Sequence, residues 1–320
     1  MRAATSHDLD LPVSPPGEAG PYGPAGRSPW LDVDWRRHQR WVQVGGRPVN
    51  VIELGGSPGA QTARRQPVVF VHGLGGSWQN WLEQLPVTAE RRRVLALDLP
   101  GFGHSPMPAQ QITISGYARL LDGLLGELGI EAAAVVGNSM GGFIGAELAI
   151  AFPRRVERLV LVSAAGISTR AGTGRQRAFS ALRRLETALA GTSAWVASKS
   201  DAAARRARIR EALMNVVVAH PGRLPAPLAA EQIRGAGTPG FMPALQAVLD
   251  YDVRDRLSQI ACPTLIVWGR SDRLIAVRDA DVFAELIPNS RKVVFADTGH
   301  MAMLERPAAF NALLEDFLAQ

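Results

Sequence analysis

One serine of this chain stands in a setting that can make it reactive. Residues 132 to 145 read AAAVVGNSMGGFIG, an apolar run that stops at Gly137, presents Ser139, and continues through Gly141 and Gly142. A Gly-x-Ser-x-Gly pattern is weak by itself in a chain with 32 glycines. Its context strengthens it, because the match closes a strand-like run and opens a helix. There a sharp turn exposes the serine, and the helix N-terminus, with the Met140 N–H, faces negative charge developing on a bound substrate.

A nucleophilic serine needs a base, and the chain has six histidines: His7, His38, His72, His104, His220 and His300. His7 lies near the N-terminus, His38 precedes the first strand, and His220 falls in a helical insertion. The other three follow strand-like runs, at the sheet edge where open α/β sheets place their sites. His300, in VVFADTGHMAML, sits between the last strand and the last helix and is the candidate base. His72 and His104 read as structural hydrogen-bonding residues. The glycines after His72, beginning with Gly73, predict a loop folding over a ligand, with the Leu74 N–H as a second oxyanion donor.

The base in turn needs a carboxylate to fix its tautomer and stabilise the imidazolium. Asp272, in LIVWGRSDRLI, follows a strand and precedes a helix. Asp98 and Asp297 are the rivals. Asp98 could pin the turn after its own strand, and Asp297 is close enough to His300 to brace that loop. The chain order Ser139, Asp272, His300 is the order expected of one particular fold.

The elements that must position these groups are legible as short apolar runs. PVVFV, RVLALD, AAAVVG, RLVLVS, PTLIVWG and KVVFA alternate with helix-compatible segments, preceded by two strands around a Gly-Gly turn in HQRWVQVGGRPVNVIELGG. Buried β-branched runs separated by helices predict an α/β fold with a mainly parallel sheet. Residues 1–34, rich in proline and glycine, read as a disordered tail. Residues 35–166 and 241–320 form two parts of one core. Between them, 167–240 carries helical sequence without a convincing strand, as expected of a lid.

Composition bounds the partners. Charged residues make up 20% and no apolar run reaches the roughly 18 residues of a spanning helix, so a soluble protein is expected. A single cysteine, Cys262, and an N-terminus without signal character favour the cytoplasm. The net charge of +6 is concentrated in residues 167–250, where 12 Arg or Lys face 5 Asp or Glu, a net of +7 against −1 elsewhere. Phe179, Leu182, Leu185 and Leu189 interleave there with Arg175, Arg183 and Arg184. A solvated arginine-rich face is the preferred reading, and peripheral contact with an anionic lipid surface is the alternative. Nothing resembles a nucleic-acid recognition module.

Taken together, HGLGGS, DLPGFGHS, GNSMGG, GRSDR and GHMAMLERP resemble the α/β-hydrolase superfamily from about residue 35 to 320. The resemblance implies an eight-stranded, mostly parallel sheet, a helical lid between strands 6 and 7, an oxyanion hole from the Leu74 and Met140 N–H groups, and hydrolysis through an acyl-enzyme. It implies no cofactor and no metal. A serine at 139 argues against epoxide hydrolases and haloalkane dehalogenases, which use an aspartate there, and the expected lid has no tyrosine to activate an epoxide. Carboxylic ester hydrolysis leads, in the manner of an esterase or lipase. The alternative is carbon–carbon bond hydrolysis of meta-cleavage dienoates, although enzymes of that kind commonly place tryptophan where Met301 follows His300. Met301 and Met303 read either as an apolar substrate wall or as core packing. A non-catalytic binding protein of the same fold is a distant third.

Overall fold

The computed structural model describes residues 20–55, 65–168, 200–234 and 238–320. Eight strands form one sheet: β1 (Gln39–Val44), β2 (Arg47–Leu54), β3 (Val68–Val71), β4 (Val94–Leu97), β5 (Ala133–Asn138), β6 (Val156–Val162), β7 (Thr264–Gly269) and β8 (Ser290–Phe295), in the order β1-β2-β4-β3-β5-β6-β7-β8. Among the described strands β2 alone runs opposite to the rest, antiparallel to both β1 and β4. It returns from β1 through Gly45 and Gly46, both at positive φ, which two-residue hairpins require and glycine supplies without steric cost.

The sheet is covered on both faces, so its central strands are apolar except at their ends, as at Asn138 of β5 and Thr264 of β7. Each residue of β3, β4, β5 and β7 is buried. Along β3 the side chains alternate. Val69 and Val71 join a core built with the helices Ile114–Glu127 (α2) and Met140–Ala151 (α3), while Val68 and Phe70 join a second core with Trp81, Phe310 and Leu314. Short helices complete the coverage, among them Leu85–Ala89 (α1) before β4 and Pro307–Ala319 at the C-terminal end. Because β3, β5, β6, β7 and β8 run parallel, the loops that leave them gather at one edge of the sheet.

Between β6 and β7 the described residues are helical: Ser200–Arg205 (α4), Ala207–Met214 (α5), Ala226–Arg234 (α6) and Phe241–Asp250 (α7). Helix therefore continues past residue 240 and almost reaches β7. Ala204, Met214, Val218 and Leu228 share the second core with Met301 and Ala302, so this insertion is rooted beside the loop that follows β8. The arginines and apolar residues read as a lipid-facing stretch, 175 to 189, lie outside the described residues. Among the described residues no helix is long and apolar enough to cross a membrane.

The expected disordered tail is corrected from residue 20 onward. Trp30 is buried and its Nε1–H donates to Glu83 at 2.8 Å, with the Ser28 hydroxyl donating to the same carboxylate oxygen at 2.7 Å. Tyr22 reaches Glu305 at 2.8 Å, and the Gly23 N–H donates to the Glu305 carbonyl at 2.7 Å. A few aromatic anchors, rather than average composition, hold this segment down. Trp30→Ala should accordingly lower unfolding free energy by about 3 kcal/mol, measured by denaturant titration. A loss under about 0.5 kcal/mol would mean that the segment contributes nothing to the core.

Candidate active site

Ser139 stands between β5 and α3 with φ 55° and ψ −118°, a conformation that L residues other than glycine adopt only under constraint. The constraint is backbone crowding. A Cβ on Gly137 would lie 2.3 Å from the carbonyl carbon of Gly141, and one on Gly141 would lie 2.2 Å from the Val71 carbonyl oxygen. Glycine at both positions lets α3 start directly against the end of β3, which turns Ser139 out of the strand. Hydrogen bonds hold the turn: the Ser139 N–H donates to Val162 O at 2.9 Å, and its carbonyl accepts from Phe143 and Ala165 at 3.1 Å each. Such a residue stores roughly 1–3 kcal/mol of strain, sustained here by the fully buried strand before it.

His300 and Asp272 meet directly. His300 Nδ1 is 2.8 Å from Asp272 Oδ2, and both side chains are almost completely buried. A carboxylate only accepts, so Nδ1 carries the proton and Nε2 presents a lone pair. The other oxygen, Oδ1, is occupied by the N–H groups of Leu274 (2.8 Å) and Ile275 (3.0 Å), so the loop after β7 fixes the carboxylate before the histidine meets it. Asn138, the residue before Ser139, donates its side-chain amide to the carbonyls of Val162 (3.1 Å) and His300 (3.3 Å). The serine turn and the histidine loop are thereby tied to each other.

The loop after β3 approaches from the other side. A Cβ on Gly73 would touch Ser139 Cβ at 3.1 Å, so the Gly73 backbone lies against the serine. Gly73 O accepts from His72 Nδ1 at 2.7 Å and from the Gly76 N–H at 3.1 Å, closing a tight turn around Leu74. Among the described residues the Leu74 and Met140 N–H groups have no hydrogen-bond acceptor. Phe241, Leu245 and Leu249 of α7 form an apolar cluster with Leu74, and a Cβ on Gly75 would meet the Phe241 ring at 3.1 Å.

The remaining candidates have structural partners. His72 is fully buried, and burial pushes its pKa down. Its Nε2 accepts from the Leu99 N–H at 3.0 Å, which leaves it a neutral link between two loops. Asp98 is buried and accepts from Trp78 N, His104 N and the Asn50 amide, pinning the turn after β4. Asp297 pairs with His220 of the insertion at 2.5 Å, and that hydrogen bond lowers its pKa. Of the two readings of Met301 and Met303, substrate wall and core packing, burial favours the second: Met303 is fully buried in the second core with Trp81 and Phe310, and Met301 is almost as enclosed. Short strand-to-helix packing after His300 turns both methionines inward, and the apolar group beside Leu74 comes from α7 instead. That contribution was hidden in the sequence because Phe241 adjoins Leu74 only through the fold.

A strained serine between strand and helix, with a paired histidine and aspartate at the same sheet edge, is the arrangement of the α/β-hydrolase fold. The chain belongs to that family, whose model, the alpha/beta hydrolase fold, matches residues 66–307. It is 30% identical over 314 residues to a dihydrolipoyllysine-residue acetyltransferase component of an acetoin cleaving system from Cupriavidus necator, covering 95% of this chain and 72% of the relative. It is 33% identical over 264 residues to 2-hydroxymuconate semialdehyde hydrolase of Pseudomonas sp. strain CF600, covering 79% and 87%. Among solved structures it resembles a bacterial membrane phospholipase A described as a virulence factor, with a TM-score of 0.70, 27% identity, and coverage of 88% of this chain and 85% of that one.

The crowding at the serine turn makes a direct prediction. Gly141→Ala places a methyl group against two backbone carbonyls that cannot rotate away. It should cost at least about 2 kcal/mol in thermal or chemical unfolding, and a variant as stable as the parent would contradict the tight crossing.

Proposed function

We propose that this α/β-fold hydrolase cleaves carboxylic esters of apolar acyl groups through an acyl-enzyme on Ser139. The observation that carries the proposal is the buried Asp272–His300 pair at the edge where the strained Ser139 is presented. His300 Nε2 takes the hydroxyl proton as Ser139 attacks the carbonyl, and Asp272 stabilises the imidazolium that results. The Leu74 and Met140 N–H groups stabilise the oxyanion, helped by the N-terminus of α3. The imidazolium then protonates the departing alkoxide, and water, activated by the same nitrogen, releases the acid.

The apolar substrate class follows from α7. Phe241, Leu245 and Leu249 crowd the oxyanion turn and favour burial of hydrocarbon over a charged group. Carbon–carbon bond hydrolysis is the second reading, favoured by the 33% identity to a 2-hydroxymuconate semialdehyde hydrolase. It uses the same acyl and oxyanion geometry but needs a carbon leaving group stabilised as an enol. A peripheral contact with anionic lipid through the basic insertion is compatible with either.

Turnover of p-nitrophenyl esters from two to sixteen carbons, run beside a meta-cleavage dienoate, tests the assignment. Ser139→Ala should lower kcat by several orders of magnitude with KM little changed, and Asp272→Asn by roughly 10⁴-fold. Retention of most activity by Ser139→Ala on a purified substrate would remove the nucleophile. Fast dienoate cleavage with feeble ester turnover would replace the ester reading by the second one. Phe241→Ala should shift the chain-length optimum toward longer acyl groups, and an unchanged optimum would take α7 out of the acyl pocket.

A further inference from the structure

Glu305 is fully buried five residues after His300 and takes no part in the chemistry just described. Its carboxylate faces donors only. The Gly299 N–H reaches both oxygens, at 3.0 and 2.9 Å, and the Met301 N–H reaches Oε1 at 3.3 Å. The Ala219 N–H and the Tyr22 hydroxyl donate to Oε2 at 2.9 and 2.8 Å. Two of these donors are the peptide N–H groups immediately flanking His300. The N–H of His300 itself donates to Val217 O at 3.1 Å, in the same stretch of the insertion as Ala219.

We propose that Glu305 is a positioning residue for His300, and that Tyr22, through Glu305, brings the N-terminal segment into the same apparatus. The inference rests on the reading of His300 as the catalytic base. A buried carboxylate costs several kcal/mol of desolvation, and burial does push the Glu305 pKa up. Folding a loop does not by itself require that expense, since backbone carbonyls satisfy N–H groups more cheaply. What the carboxylate provides is convergence: one rigid group fixes the peptides on both sides of His300, the root of the insertion and the N-terminal segment at once. Asp272 then sets the ring orientation from one side while Glu305 sets the backbone from the other.

Tyr22 is built into the same cluster. Its oxygen accepts from the His220 N–H at 3.0 Å while donating to Glu305, and the guanidinium groups of Arg223 and Arg306 lie over its ring, at 4.7 and 5.0 Å from the centroid. His220 and Arg306 also reach Asp297, in the loop before His300. A displacement of Tyr22 is therefore transmitted to the insertion and to the histidine loop together.

The experiment compares Glu305→Gln and Tyr22→Phe with the full-length parent in three readouts: unfolding temperature, kcat and KM on the best p-nitrophenyl ester, and the low-field NMR signal of the His300 Nδ1 proton held by Asp272. Glutamine turns one acceptor into a donor that opposes an N–H. Glu305→Gln should lower kcat roughly 10- to 100-fold with KM nearly unchanged, and should move or broaden the Nδ1 signal. Tyr22→Phe should do the same more weakly. A lower unfolding temperature with parental kcat and an unmoved signal would overturn the proposal and leave Glu305 a folding residue. Should Glu305→Gln not fold, Tyr22→Phe decides by the same criteria. Failure of the catalytic reading would look different: the parent itself would show no Ser139-dependent turnover and no labelling by a serine-directed phosphonate, while the Nδ1 signal would still report whether Glu305 orients His300.

Discussion

The site depends on one steric constraint, the crossing of backbone on backbone where α3 starts against the end of β3. Gly137 and Gly141 have no room for a methyl group, and Gly142 has little, since a Cβ there would lie 2.8 Å from that of Ala164. Three parallel strands, β3, β5 and β6, end at this crossing, so it cannot relax without displacing the centre of the sheet. Ser139 takes up the strain because it is the residue at which the chain must reverse direction. The same closeness sets the Met140 N–H and the turn around Leu74 on either side of it. The proposed nucleophile and the proposed oxyanion donors are thus products of a single packing event.

Buried carboxylates organise the rest of the edge, two in loops that follow strands and the third at the end of the short helix after β8. Asp98 pins the turn after β4, Asp272 closes the loop after β7, and Glu305 gathers the loop after β8. Each is satisfied chiefly by N–H donors. Of the three, only Asp272 shares a hydrogen bond with an imidazole. What sets the proposed catalytic carboxylate apart from the other two at this edge is therefore its partner, since all three side chains are enclosed. A rigid frame of this kind suits a reaction whose barrier falls through preorganised dipoles rather than through movement of the catalytic groups.

The sheet was legible because parallel strands covered on both faces must be apolar except at their ends, and each of the six runs read as core strands became one. The order of serine, aspartate and histidine was legible because each follows a strand at the same edge. Contacts made by backbone groups were not. Glu305 works through peptide N–H donors that leave no mark in the residue code, and its partner Tyr22 is 283 positions away in the chain. The N-terminal segment misled for a related reason. Proline and glycine lower its average hydropathy, yet Trp30 and Tyr22 each find a distant carboxylate, and two such anchors outweigh composition. Met303 was open between cleft wall and core packing, and only the fold weighs between them: the helix that begins at Ala302 carries the side chain into the core.

What separates ester from carbon–carbon cleavage on this scaffold is the fate of the leaving group. An alkoxide needs one proton, which the imidazolium already carries at the position where the serine proton was taken. A carbanion needs a carbon acid prepared beforehand, and with it a group that holds the substrate's charged end while the electrons are relocated. The residues crowding the oxyanion turn from α7 are an aromatic ring and two leucines, which bind by excluding water and impose little direction on a charge. Water exclusion raises the effect of the oxyanion donors for either reaction, yet only the ester needs nothing more. Among the described residues this wall supports the proposed ester reading, in which the recognised end of the substrate is hydrocarbon and the reactive end meets Ser139, His300, Asp272 and two peptide N–H groups.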